Sequence, residues 1–300
     1  MIAIDLGSNS FRAIVYDCES GCFVDDYEAI VKTADKLHQT SKISDGAVER
    51  VLNALSQADK KLHFNEHTVK AVTTQAMRKA INSDEVLARF EKESGVLFEI
   101  IDADREAYYT LIAVEARLKA LNIESSHFVL IDVGGGSTEI IFYKDGKMES
   151  KSFPVGIVTT AQICDEGSDI HSYLDEQFND LVAYVNDYYT RAGKPASFVA
   201  TAGTPTTMAA YLLGMNYQNY DVKKINGYRL SLNGTQQALE GLMEMSEEQR
   251  AVIVGVGRES LIQAGIIIVQ KLYGVLGFDA SIVIDDGVRE GVAIDYCLNS

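Results

Sequence analysis

One phrase occurs twice in this chain. Residues 4–16 read IDLGSNSFRAIVY and residues 131–143 read IDVGGGSTEIIFY. Six of the thirteen positions are identical: Ile4/Ile131, Asp5/Asp132, Gly7/Gly134, Ser10/Ser137, Ile14/Ile141 and Tyr16/Tyr143. Each copy reads as an apolar strand ending in an acid, a tight turn of small residues, and a second alternating strand, which is the pattern of a β-hairpin. Turns of Gly, Ser and Asn let backbone N–H groups point outward, and clusters of such groups bind anions, phosphate above all. Two copies suggest two halves whose loops face each other across a cleft.

The order of elements repeats with the phrase. The spacing predicts strands at 1–6, 11–16 and 23–32, a helix capped by Ser44 and running to Leu62, a strand at 69–72 and a short helix at 75–81. A helix capped by Ser83, a strand at 97–101 and a long helix at 103–121 complete the first half. The second half starts again with strands at 128–133, 139–143 and 147–153. Helices at 158–164 and 170–189, a strand at 197–200 and a helix at 205–213 come next. Two helices within 234–253, an apolar helix at 260–273, a strand at 281–284 and a helix at 288–298 close the chain. This is a duplicated α/β architecture. The expected division is residues 1–124 plus 288–300 against residues 125–287, with a short boundary near 122–126 that lets the halves hinge rather than float.

A net charge of −16 constrains partners more than the composition does. So acidic a chain is neither a general nucleic-acid binder nor a membrane-surface binder. No apolar run is long enough for a membrane span, and the N-terminus has no signal-peptide pattern. Cys18, Cys22, Cys164 and Cys297 fit no zinc spacing, so reduced thiols in a cytoplasmic setting are expected. A phosphate substrate would then need local basic groups, backbone donors or a divalent cation.

Five stretches carry candidate chemistry. Asp5 and Asp132, with Glu139, sit beside the anion-binding turns, where a carboxylate is repulsive unless it holds a cation or a water; they are candidate Mg²⁺ ligands. An Asp at a strand end can equally form a local Asx-turn, but two related copies favour function. Residues 100–107 run from a strand into a helix with charges in its first turn. On the residues alone, Glu106 reads as complementing the helix dipole. Thr74–Arg78 brings Arg78 to a strand end, where it could clamp phosphate. Thr201-Ala202-Gly203-Thr204 and Asp285–Gly291 are strand-to-helix turns, with capping and anion binding evenly matched. His63 and His67 have no third metal ligand, and His38, His127 and His171 no visible partner.

Together these stretches resemble the exopolyphosphatase / guanosine pentaphosphate phosphohydrolase (Ppx/GppA) family. Its D-x-G-S-N-S-x-R is met by Asp5 to Arg12, its A-T-x-x-x-R by Thr74 and Arg78, and its D-x-G-G-G-S-T-E by Asp132 to Glu139. T-A-G-T is met by Thr201 to Thr204, and G-L-R-E-G by Gly287 to Gly291 with Val288 for Leu. The family's I-S-G-x-E-E-A-R falls on Ile101–Tyr108, and its water-activating Glu falls on Glu106, reversing the reading from the residues alone.

The resemblance implies a duplicated actin/Hsp70/sugar-kinase-like (ribonuclease H-like) α/β fold with an interdomain active-site cleft. It implies hydrolysis of terminal phosphoanhydride bonds of polyphosphate or guanosine pentaphosphate. Glu106 and Arg78 would be catalytic. Gly7, Ser8, Asn9, Ser10, Gly134, Gly135, Gly136, Ser137, Thr138, Thr201, Gly203 and Thr204 would bind phosphate. Mg²⁺ or another divalent cation would sit at Asp5, Asp132 and Glu139. A homodimer is kept open.

Departures from the pattern are Asp102, Ala103, Arg105 and Tyr108 around the candidate Glu, Ile284 in the last strand, and the absence of a basic residue after Gly156. The chain also ends without the helical C-terminal region of longer members, so short polyphosphates or nucleotides are the expected substrates. A kinase of the same superfold, a non-catalytic sensor of guanosine tetra- or pentaphosphate, and an assembly ATPase are the rivals.

Overall fold

A computed structural model describes residues 1–165 and 169–300. The backbone divides into two units, residues 1–114 with 286–300, and residues 115–285. In the first, strands β1 (Ile2–Leu6), β2 (Ser10–Asp17), β3 (Cys22–Ile30), β4 (Val69–Thr73) and β5 (Phe98–Ile100) form one sheet in the order β3-β2-β1-β4-β5. Helices α1 (Leu37–Thr40), α2 (Asp45–Leu62), α3 (Gln75–Lys79), α4 (Ser83–Ser94) and α5 (Ala103–Ala120) interleave with them.

The second unit has β6 (His127–Val133), β7 (Thr138–Lys144), β8 (Lys147–Phe153), β9 (Ser197–Thr201), β10 (Tyr228–Ser231) and β11 (Ala280–Val283), ordered β8-β7-β6-β9-β11-β10. Its helices are α6 (Ile157–Asp165), α7 (Ile170–Gln177), α8 (Asn179–Ala192), α9 (Gly203–Leu212), α10 (Val222–Ile225), α11 (Leu232–Met243), α12 (Glu247–Val254) and α13 (Ile262–Leu276). The last helix, α14 (Val288–Leu298), belongs to the first unit. In both sheets the repeated phrase supplies the first strand, which pairs antiparallel with the second and parallel with the fourth, while the second pairs antiparallel with the third. The duplication is therefore one of topology as well as sequence, in a duplicated α/β fold of the expected class.

Period-two burial sorts the first strand. Ile2, Ile4 and Leu6 pack with Val48, Val51, Leu55 and Phe90 on one side of the sheet. Ala3 faces the other way, with Tyr109, Val292 and Ala293. There α14 meets α5 so closely that a Cβ on Gly291 would lie 2.0 Å from the Tyr109 carbonyl oxygen.

Three expectations change. The helix expected over 170–189 is two helices, broken at Phe178, which is 1% exposed and packed in the second core. Ser83 is not a cap but the first residue of α4, and Asn82 before it bonds Ile43 at both amide atoms. The third concerns the thiols. Cys18, in the β2–β3 turn, is disulfide-bonded to Cys297 near the end of α14, with Cα atoms 5.3 Å apart. Reduced thiols were expected because nothing in a separation of 279 residues shows that the chain ends converge. Cys22 is a free, exposed thiol, and the side chain of Cys164 lies outside the described residues. Among the described residues no helix is long and apolar enough to cross a membrane.

Burial, and then the nearby Lys144, push the His127 imidazole below its ordinary value. A folded pKa below the unfolded one means that this group's stabilisation is complete above the unfolded value of 6.5 and is lost as pH falls through the folded value. Wild type should therefore lose more stability between pH 7 and pH 5 than His127→Gln, as read from urea midpoints at each pH. Parallel pH profiles for the two proteins would exclude His127 as a contributor.

Candidate active site

The two small-residue loops are built alike. The Gly7 N–H donates to the Ser10 carbonyl at 3.0 Å, and the Gly134 N–H to the Ser137 carbonyl at 2.9 Å. In each unit the segment after the third strand then takes the loop's carbonyls. Val31 and Lys32 N–H donate to Asn9 O, and Ala34 N–H to Ser8 O. Ile157 N–H donates to Gly134 O, and Val158 and Thr159 N–H to Gly135 O. With its acceptors bonded from behind, a loop of this kind presents donors on its other side. The second loop is held further by Thr138 Oγ1, which donates to Val155 O at 2.6 Å. Gly156 sits so tightly on it that a Cβ there would come within 2.4 Å of the Gly136 N, Cα and C atoms. Sequence reasoning missed both buttressing segments. Backbone donors carry no side-chain signature, and Gly156 was noted only for the residue that follows it.

In the second unit, three of the expected residues share a row. Register pairs Asp132 with Glu139 on β7 and with Thr201 on β9, and directly opposed residues project on the same face. Glu139 is 3% exposed and accepts from Ser152 Oγ at 2.7 Å. In the first unit the matching row pairs Asp5 with Arg12 and Val72, and Arg12 with Glu28. Arg12 and Glu28 form an ion pair at 3.6 Å. The second copy thus offers two adjacent carboxylates, and the first an acid beside a cation. Among the described residues no group of three or more His, Cys, Asp or Glu side chains forms a metal cage. Magnesium does not require one, since it commonly uses one or two carboxylates together with water and substrate phosphate oxygens. Asp132 and Glu139 fit that donor set.

Thr201 leads into a strained turn. Ala202 has φ 70° and ψ −175°, a region almost confined to glycine that costs about 1–3 kcal/mol. It opens α9, and Thr206 Oγ1 bonds the carbonyls of Ala202 and Gly203, both at 3.1 Å. From α13, Gly265 approaches Thr204 so closely that a Cβ would lie 2.3 Å from Oγ1. Thr201, Gly203 and Thr204 thus occupy a packed turn whose backbone geometry is held against its own preference.

Arg78 and Glu106 come together in the first unit. Arg78 Nη1 donates to Glu106 Oε2 at 2.8 Å and to the Ile101 carbonyl at 2.6 Å. Thr73 Oγ1 donates to Leu6 O, tying β4, which leads to Arg78, to the strand that leads into the first loop. Burial and the adjacent Arg78 charge hold the Lys79 ammonium below its ordinary value. Three of the departures around Glu106 have partners of their own. Asp102 caps α5, its Oδ1 accepting from Arg105 N–H at 2.8 Å. Arg105 and Tyr108 both bond Asp295 of α14, at 3.1 and 3.4 Å, and the Arg105 guanidinium lies 4.8 Å from the Tyr109 ring centre. The Arg78–Glu106 pair is intact beside them. At the last turn, Glu290 accepts from the Gly287 N–H and from Arg289, and burial raises its carboxyl above the usual range. In that stretch capping is what the geometry shows.

The model of the Ppx/GppA phosphatase family matches residues 14–300. Exopolyphosphatase 2 of Mycobacterium tuberculosis is 26% identical, over 97% of each chain. Exopolyphosphatase 1 of Mycobacterium leprae is 24% identical, over 97% of this chain and 87% of its own length. Among solved structures, the Aquifex aeolicus member of the Ppx/GppA family is 28% identical with a TM-score of 0.74, over 99% of this chain and 97% of its own. An exopolyphosphatase from Cytophaga hutchinsonii, 22% identical, shares the fold with a TM-score of 0.84 over 99% of this chain and 97% of its own. Near full-length correspondence with relatives of one kind, together with the family match, makes this chain a member of the Ppx/GppA phosphatase family.

Proposed function

We propose that this protein hydrolyses the terminal phosphoanhydride bond of inorganic polyphosphate. Exopolyphosphatase relatives matched over nearly the whole chain support the substrate. The observation that carries the chemistry is the Arg78–Glu106 pair at 2.8 Å in a unit that also holds a buttressed anion loop. Guanosine pentaphosphate ends in the same anhydride and belongs to the same substrate class.

Phosphoryl transfer asks little covalent work of a protein, so positioning and charge neutralisation dominate. Within its own unit, the backbone donors of loop 7–10, and those of loop 134–137 with the turn 201–204, can each cradle phosphate oxygens. An arriving terminal phosphoryl group competes for the Arg78 guanidinium. Arg78 then neutralises charge on that group, and the released Glu106 carboxylate accepts the proton of the attacking water. Asp132 and Glu139 would hold a divalent cation, which when bound supplies charge neutralisation at the phosphate oxygens.

Glu106→Gln should lower kcat by about 10²–10⁴-fold while the variant keeps its affinity for polyphosphate, measured by phosphate release and by direct binding. Turnover close to wild type would take Glu106 out of the mechanism.

Exhaustive chelation should abolish phosphate release, and added Mg²⁺ should restore it in wild type but poorly in Asp132→Asn. Full activity in a protein shown by elemental analysis to hold no metal would refute the cation.

Gly156→Ala should push on the Gly136 backbone, lowering stability by about 1–3 kcal/mol and raising KM for polyphosphate. Gly274, a helical position with nothing within 4 Å of a Cβ, is the control: Gly274→Ala should leave KM unchanged and should not lower stability. An unchanged KM for Gly156→Ala would show that the second loop does not bind substrate.

A further inference from the structure

We propose that Cys18, Cys22 and Cys297 form a thiol–disulfide exchange site that fastens and releases the last turn of α14. Three observations converge on it. Cys18 and Cys297 are bonded, and Cys22 is a free thiol four residues from Cys18 on the same hairpin. Register places Cys22 opposite Asp17, the residue before Cys18, and Cys22 Sγ lies 3.5 Å from the Ser20 carbonyl, over the turn itself. The site is open: Cys18 and Cys22 are exposed, β3 is an edge strand, and Phe23 and Val24 beside Cys22 are 46% and 62% exposed.

The reaction is redox-neutral. The Cys22 thiolate attacks Cys18 Sγ, and a Cys18–Cys22 bond forms as the Cys18–Cys297 bond breaks. The electron pair of the broken bond leaves on Cys297 Sγ, which takes up a proton equivalent to the one Cys22 gave up. An external dithiol, becoming a disulfide itself, would reduce either bond. What the exchange controls follows from what α14 holds. Its last turns carry Asp295, the partner of Arg105 and Tyr108 on α5, and Tyr296, whose ring centre lies 5.7 Å from Lys70 Nζ. With Cys297 released, the end of the helix loses its covalent tie and keeps only non-covalent contacts of this kind, while the Gly291 contact with Tyr109 keeps its start in place.

The test uses the full chain, air-oxidised and equilibrated at pH 8 with a trace of glutathione, then quenched in acid and alkylated. Disulfide-linked peptides are mapped by mass spectrometry in wild type and Cys22→Ser, beside amide exchange of residues 288–298. Wild type should contain both the Cys18–Cys297 and the Cys18–Cys22 isomers, the minor one above about 1% of molecules. Cys22→Ser should contain only the first. Cys297→Ser should form the Cys18–Cys22 bond on oxidation, and its amides 294–298 should exchange at least about tenfold faster than those of oxidised wild type. Alkylation of both Cys18 and Cys297 in oxidised wild type would overturn the site. So would a Cys297→Ser protein in which Cys18 and Cys22 stay unbonded, or a wild type that holds the Cys18–Cys297 bond alone.

Discussion

A turn of small residues has few side-chain atoms to fix its shape, so something else must. In both units the fixing is done by backbone hydrogen bonds from behind. Segments 31–34 and 157–159 bond the carbonyls of loops 7–10 and 134–137, and one internal bond closes each turn. The rest of each unit can be read as the means of bringing those segments there. Two antiparallel pairings return the chain to the side of the first strand, and the residues after the third strand then run behind the loop. A buried carbonyl left without a donor would cost on the order of 1–3 kcal/mol, so losing the buttress would cost both loop geometry and stability.

The duplicated topology was legible because the repeat lies in residues whose types are dictated: apolar alternation for the strands, small residues for the turns. Arg78 and Glu106 were legible only through the family motif, since an arginine on a short helix and an acid in a first turn are each ordinary features. That they meet at 2.8 Å is a tertiary fact with no local signature. The buttresses were invisible for a related reason, because their bonds come from the backbone of residues as unlike as Val31, Lys32 and Thr159. Phe178 misled because an amphipathic pattern continues across it, while the backbone at Phe178, with φ −85° and ψ −4°, ends α7 and begins α8. Cys18 and Cys297 were out of reach altogether, since only the return of α14 to the first unit brings them together.

Departures from a motif need not weaken the site the motif describes. Arg105 and Tyr108 stand where the family pattern has Glu and Arg, and both reach Asp295 on α14. Asp102 replaces one N-cap residue with another. Arg105 and Tyr108 have their partner on the neighbouring helix, so these two substitutions read as fastenings of α5 to α14, made around a pair that retains its own bond. The strain at Ala202 points the other way, towards function. No local preference explains φ 70° at an alanine, and such a conformation persists only where its surroundings over-determine it. The tight approach of Gly265 to Thr204 supplies part of that constraint.

The two copies have diverged at one register position, and the divergence changes what each can do with an anion. Opposite the strand-end acid, the first copy has Arg12 and the second has Glu139. In the first copy Arg12 stands between Asp5 and Glu28 in that row and is ion-paired with Glu28 at 3.6 Å. Two carboxylates on adjacent strands, one of them 3% exposed, repel phosphate in a chain whose net charge is already −16. A cation arriving with the ligand, as in the proposed function, would offset that repulsion. The same hairpin pattern thus carries two different charge rows, acid–guanidinium–acid in the first unit and two adjacent carboxylates in the second.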